Sequence, residues 1–178
     1  GPSSPNLPLN MALAFLVGLG LAAVATFALD QIDEGLRDPS QIYRLLRVPL
    51  LGRVPDADEE DVLALLRDTK SSLSEAYLSI RSNLAFSTDH GVPRAVMVTS
   101  TRAAEGKSTT SFALATVLAR TGKKVLLIDA DMRSPSMHQF GGKSNKAGLS
   151  NFLAGDNDWK LLVHGNITAN LHLLAAGP

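Results

Sequence analysis

An apolar, β-branched run, Ala95-Val96-Met97-Val98-Thr99, opens directly into Ser100-Thr101-Arg102-Ala103-Ala104-Glu105-Gly106-Lys107-Ser108-Thr109-Thr110, and no other stretch constrains the fold as tightly. A strand that feeds Gly-Lys-Ser at the start of a helix predicts a phosphate-binding loop. The helix end offers unsatisfied N–H groups and the positive pole of the helix dipole. Lys107 is placed to reach the β- and γ-phosphates of a nucleotide, and the Ser108 hydroxyl to ligate Mg²⁺. Thr101 stands where the common phosphate-loop pattern has Gly, and Ala103 and Ala104 precede Glu105, so the loop departs from that pattern. The helix should run from Ser108 to about Arg120, with Phe112, Ala115, Leu118 and Ala119 as its apolar positions and Gly122 as its stop. A second buried strand, Val125–Ile128, ends on Asp129-Ala130-Asp131-Met132-Arg133. Ligands of an open parallel sheet gather at the carboxyl ends of its strands, so Asp129 and Asp131 should emerge beside the loop. An Asp-stabilised turn is the plainer reading of the same residues.

Charge divides the chain. All 17 basic and 17 acidic residues lie after Leu29. Residues 1–9 form a Pro-rich lead-in, and Asn10 to Leu29 carries no charge, close to the roughly 20 residues that span a bilayer. A transmembrane helix is expected there; a signal peptide would need a basic lead and a shorter apolar core. Gly18, Gly20, Ala22, Ala23 and Ala25 give it a small-residue surface suited to close helix packing. Arg37, Arg44, Arg47 and Arg53 follow it, which puts the C-terminal side in the cytoplasm. The net charge is zero, which argues against nucleic acid as a partner. There is no Cys, so neither disulfides nor a Cys metal site is available. His138, His164 and His172 show no metal-ligand spacing.

Residues 30–55 read as a juxtamembrane connector: a helix start at Asp38-Pro39-Ser40, a short apolar face of Ile42, Leu45 and Leu46, and an extended Val48–Pro55. From residue 56 a cytoplasmic domain is expected, opening with a helix over Asp56–Asp68. A longer helix, about Ser71 to Phe86, repeats Leu73, Ala76, Tyr77, Ile80 and Leu84 at helical spacing. Glu75, Leu78 and Arg81 share a neighbouring face, which on physical grounds reads as solvated. Ser134–Lys146 reads as loop, Gly148–Gly155 as a short helix and its stop, and Leu171–Ala176 as a further strand. The fold class is α/β: a P-loop NTPase-like parallel sheet with helices on both faces, preceded by one transmembrane helix.

In order and spacing these features resemble the bacterial tyrosine kinases fused to polysaccharide co-polymerases. The likeness rests on the Pro-rich approach to the membrane helix, Val48-Pro49-Leu50-Leu51-Gly52-Arg53-Val54-Pro55, Glu75-Ala76-Tyr77 with Arg81-Ser82-Asn83-Leu84, Glu105-Gly106-Lys107-Ser108-Thr109 and Asp129-Ala130-Asp131-Met132-Arg133. The last is similar to the family's second Walker-type motif. The resemblance implies an ATP- and Mg²⁺-dependent kinase domain on the cytoplasmic side of the bacterial inner membrane. It would phosphorylate tyrosines in the tail of a neighbouring subunit within a ring, coupled to the polysaccharide polymerase and export machinery. By the same resemblance Arg102, Glu105, Gly106, Lys107, Ser108 and Thr109 would bind the nucleotide, and Ser108 and Asp129 the metal. Lys107, Asp129, Asp131 and Arg133 would be catalytic, with Asp131 accepting the tyrosine proton. The helix bearing Glu75 and Arg81 would carry the ring contacts; the family's middle Arg is Leu78 here.

No apolar run followed by Asp-x-Pro-Pro occurs, and the tyrosines are Tyr43 and Tyr77 alone. The expectation is a fold truncated at its C-terminus, with the third Walker motif and a tyrosine-rich tail beyond Pro178, and a weakly active fragment. Two other readings stand beside the kinase. One is a partition- or septum-type ATPase, which would place a Lys where Arg102 stands. The other is a non-catalytic chain-length regulator with a degenerate nucleotide domain.

Overall fold

The computed structural model of the chain describes residues 6–32, 46–56, 62–155 and 158–178. The expected helix start at Asp38, with Arg37, Ile42, Tyr43, Arg44 and Leu45, and the stretch 57–61 of the expected Asp56–Asp68 helix lie outside those residues. The chain divides into two compact units, Gly1–Leu50 and Leu51–Pro178.

In the first unit, α1 runs from Leu7 to Ile32. Its apolar span, Leu7–Phe27, is 21 residues. At a rise of 1.5 Å per residue that is about 31 Å, the thickness of a bilayer's hydrocarbon core. The side chains of Leu7–Phe27 are exposed all round, as they would be against lipid, and the helix is long and apolar enough to cross a membrane. The Thr26 hydroxyl donates to the Ala22 carbonyl at 2.8 Å, so this polar group is satisfied inside the helix.

The second unit is built on helices packed against a small sheet. Helix α2 (Val62–Arg67) meets α3 (Ser72–Phe86) at a polar joint. The Ser71 side chain caps α3 by accepting from the Ser74 N–H at 3.0 Å, and its hydroxyl donates to the Leu65 carbonyl at 2.6 Å. The Ser74 hydroxyl and the Arg120 guanidinium both donate to the Leu66 carbonyl, so the Leu65 and Leu66 carbonyls at the end of α2 are satisfied. Leu73, Tyr77, Ile80 and Leu84 bury one stripe of α3 as expected. The stripe packs on α4 (Lys107–Ala119), buried at Phe112 through Val117 and at Ala119. Gly52 lies so close to α3 that a Cβ there would meet Ile80 Cγ1 at 2.5 Å. Asn83 also donates to the Leu51 carbonyl at 2.8 Å.

Strand β1 (Val125–Ile128) is followed by the short helices α5 (Met137–Phe140), α6 (Leu149–Leu153) and α7 (Trp159–Leu162). Strands β2 (Val163–Thr168) and β3 (Leu171–Leu174) complete a sheet of order β1-β3-β2. β1 and β3 are parallel, with Val125 opposite Leu171 and Ile128 opposite Leu174. The sheet is mixed, not parallel throughout, because β2 joins β3 antiparallel through the two-residue turn Ala169-Asn170. A connection that short can only form a hairpin, and Asn170 supplies the left-handed φ of 63°.

Three other expectations change. Ala95–Thr99 forms no strand: it pairs with neither outer edge of the sheet, that of β1 or that of β2, and its Val96 and Met97 stay exposed. Among the described residues, helices do not cover both faces of β1. Val125 and Leu127 lean toward α4, while Leu126 and Ile128 stay 43% and 47% exposed. The loop after Arg133 contains α5, whose Met137 is buried under the core helices.

Candidate functional site

The loop between Ser100 and Lys107 is shaped by its own acid. The Glu105 carboxylate accepts the backbone N–H groups of Thr101 at 2.9 Å and Arg102 at 3.0 Å, and the Thr101 hydroxyl at 3.0 Å. Those bonds, led by the Arg102 N–H, hold the Glu105 carboxyl below the usual carboxylate range. They also account for a loop built without the first glycine: Thr101 contributes a hydroxyl and an N–H to the carboxylate. Ala104 (φ 63°) and Gly106 (φ 75°) both take the left-handed conformation, and Gly106 then caps α4.

Lys107 and Ser108 begin α4 at the mouth of this loop. The Lys107 ammonium lies 2.9 Å from Asp131 Oδ2. This contact, with the Ser134 N–H at 3.1 Å on Oδ1, pulls the Asp131 carboxyl below its ordinary range. Asp129 is buried and accepts three backbone N–H groups. One oxygen accepts the Asp131 N–H at 3.1 Å, and the other accepts those of Ser136 at 3.1 Å and Met137 at 3.0 Å. The Ser136 hydroxyl donates to Ser108 Oγ at 2.7 Å. The turn after β1 is thus folded back onto the head of α4.

Lys107, Ser108, Asp129 and Asp131 are therefore brought together at the head of α4. Glu105 and Gly106 act through the loop's shape. Thr109 sits half-buried in the first turn of α4. Arg102 and Arg133 are exposed, and Arg133 turns its backbone N–H to Asp131. Ser136 and Tyr77, unmarked in the sequence as parts of the site, both bond to the first turn of α4. The Tyr77 hydroxyl bonds the Thr110 hydroxyl at 3.1 Å, tying α3 to the phosphate-loop helix, and burial pushes its phenol pKa up. Ser136 had one cue, the Ser-Pro-Ser turn that reverses the chain after Arg133.

A hard divalent cation takes oxygen ligands, and in nucleotide sites Mg²⁺ typically uses one or two from the protein, with phosphate and water supplying the others. Ser108 and Asp129 are oxygen donors linked through Ser136, so the residues present fit such an ion. Among the described residues no group of three or more His, Asp or Glu side chains converges on a metal position.

Residues 96–164 match the family model described as the CobQ/CobB/MinD/ParA nucleotide binding domain. Over 99% of its length the chain is 32% identical to a protein named putative tyrosine-protein kinase EpsB from Ralstonia nicotianae, and it covers 26% of that protein. The tyrosine-protein kinase YwqD of Bacillus subtilis is 39% identical over 120 residues, 67% of this chain and 50% of the relative. The chain thus spans between a quarter and a half of the length of these relatives. Among solved structures, the kinase domain of Escherichia coli tyrosine kinase ETK is similar with a TM-score of 0.70 and 26% identity, over 80% of this chain and 60% of that one. The chimerical protein CapA2B2 is similar with a TM-score of 0.68 and 30% identity, over 79% and 61% of the two chains.

Proposed function

From a chain that is homologous to bacterial tyrosine-protein kinases and carries a CobQ/CobB/MinD/ParA-type nucleotide-binding domain, we infer an ATP-dependent protein-tyrosine kinase anchored in the membrane by α1. The observation that carries this reading is the meeting of Lys107 with Asp131 at 2.9 Å at the head of α4, next to the Asp129 turn. Phosphoryl transfer asks mainly for positioning and charge neutralisation, and this cluster is equipped for both.

Lys107 and the N-terminal turn of α4 would hold the phosphates, with Arg102 and Thr109 beside them and Glu105 and Gly106 keeping the loop in shape. Ser108 and Asp129 would hold Mg²⁺, which when bound neutralises the charge on the phosphates. Asp131 is a weak base while Lys107 holds it. Once Lys107 turns to the phosphates, the largest cause of its lowered pKa is gone, and Asp131 can accept the proton of a tyrosine hydroxyl. Arg133, exposed beside it, can steady the transferring phosphoryl group.

The bacterial inner membrane, with the C-terminal side cytoplasmic, is the setting that α1 and the flanking arginines favour. Control of capsular or exopolysaccharide polymerisation and export is the proposed cellular role. Self-association into a ring would use the outer face of α3, where Glu75 is exposed and Arg81 half-exposed.

The test compares the full-length protein with its Lys107→Met variant after incubation with Mg-ATP, reading phosphopeptides by mass spectrometry and free phosphate together. Tyrosine phosphate that vanishes in the variant supports the kinase. Phosphate release without phosphotyrosine would move the reading to an ATPase, and neither signal would move it to a regulator with a degenerate nucleotide domain.

A further inference from the structure

Ser136 touches both oxygen donors of the metal side at once. Its backbone N–H donates to Asp129 Oδ2 at 3.1 Å, and its hydroxyl donates to Ser108 Oγ at 2.7 Å. The neighbouring Met137 N–H, 3.0 Å from the same Asp129 oxygen, pins the turn, and the Met137 side chain is buried. Ser136 is therefore held on the protein side by its backbone and presents its side chain to the head of α4.

A hydroxyl that ligates a cation must point a lone pair at the ion and turn its own proton elsewhere. Ser136 Oγ is the acceptor within reach of that proton. Both hydroxyls rotate freely, so the bond between them can reverse direction without either residue moving. Hydrogen bonds to metal ligands of this kind orient the ligand and raise its affinity for the ion.

We propose that Ser136 is a positioning residue for the Mg²⁺ of a bound nucleotide, fixing the Ser108 hydroxyl through its side chain and the Asp129 carboxylate through its N–H. The proposal rests on the nucleotide reading above and adds a residue to it.

The experiment measures ADP affinity by calorimetry on the detergent-solubilised full-length protein, with Mg²⁺ and with EDTA, for wild type, Ser136→Ala and Ser136→Thr. Alanine keeps the N–H to Asp129 and removes only the hydroxyl. The expected result is that the gain in ADP affinity conferred by Mg²⁺ falls about tenfold in Ser136→Ala and returns in Ser136→Thr. An undiminished Mg²⁺ gain in Ser136→Ala overturns the proposal. So does an equal loss in both solutions, which would make Ser136 a merely structural residue, and so does a threonine variant that behaves like alanine. Wild type that binds ADP in neither solution overturns the nucleotide reading and this inference with it; wild type that binds ADP equally in both overturns this inference alone.

Discussion

Lys107 and Asp131 form an ion pair 2.9 Å long in which the residue expected to hold phosphate is held instead by the residue expected to take a proton. Each side chain is about one-third exposed, at 31% and 33%, so water screens the pair and its strength is modest. That suits a contact that must give way. An incoming phosphate offers Lys107 two or three charge-assisted bonds where Asp131 offers one.

Asp131→Asn removes the competitor for Lys107 and should leave ADP affinity unchanged or raised by at most a few-fold. Phosphotransfer should fall by about 10²- to 10⁴-fold, the usual contribution of a general base. Calorimetry with ADP and single-turnover phosphorylation separate the two effects. If ADP binding weakens markedly instead, Asp131 is a nucleotide or metal ligand.

The loop acid predicts a pH dependence. Glu105 has its pKa lowered in the folded loop, so the order it gives the loop is present above the ordinary glutamate pKa. That order is lost as pH falls through the lowered value. The amide resonances of Thr101 and Arg102, followed by NMR, should titrate together with a midpoint below that of an exposed glutamate. Glu105→Ala should abolish that titration and weaken ADP binding at neutral pH. Independent midpoints at the ordinary glutamate value would show that the carboxylate does not hold the loop.

Tyr77→Phe leaves the core packed and removes one hydroxyl, leaving Thr110 without its partner on α3. The expected loss is about 1 kcal/mol, the ordinary worth of such a bond. For a domain of this size that lowers the thermal midpoint by roughly 3–6 °C. Tyr77→Ala, which empties a site only 1% exposed, should cost about 3–5 kcal/mol. Equal midpoints for wild type and the phenylalanine variant would show that the hydroxyl pair carries no stability.

What was legible in the sequence is what local chemistry decides. The apolar stripe of α3, the Gly106 start of α4, the β1 run and the two carboxylates after it each follow from spacing within one element. Partnership between elements was not legible. Ala95–Thr99 has strand composition but pairs with no strand of the sheet, and nothing in those five residues could say so. β2 hid because Val163-His164-Gly165-Asn166-Ile167-Thr168 breaks alternation at Gly165 and Asn166, where its register with β3 is irregular. Ser136 hid for the same kind of reason. Its role depends on contact with Ser108, 28 positions earlier in the chain.

Asp129 joins the fold to the site, and its amide would separate the two roles. Three N–H groups converge on its two oxygens, two of them on Oδ2. Asn keeps one oxygen and turns an NH₂ toward donors, so at least one N–H loses its acceptor beside a residue that is 4% exposed. Leaving a buried donor unpaired costs about 1–3 kcal/mol. Asp129→Asn should therefore unfold more easily even without nucleotide, and amide exchange should quicken at Ser136 and Met137 before it does in β1 and β3. Asp131→Asn, whose ion pair with Lys107 is screened by water, should show neither effect. If Asp129→Asn keeps wild-type stability and exchange while losing the Mg²⁺-dependent part of ADP affinity, Asp129 serves the metal alone and the turn after β1 is held by α5.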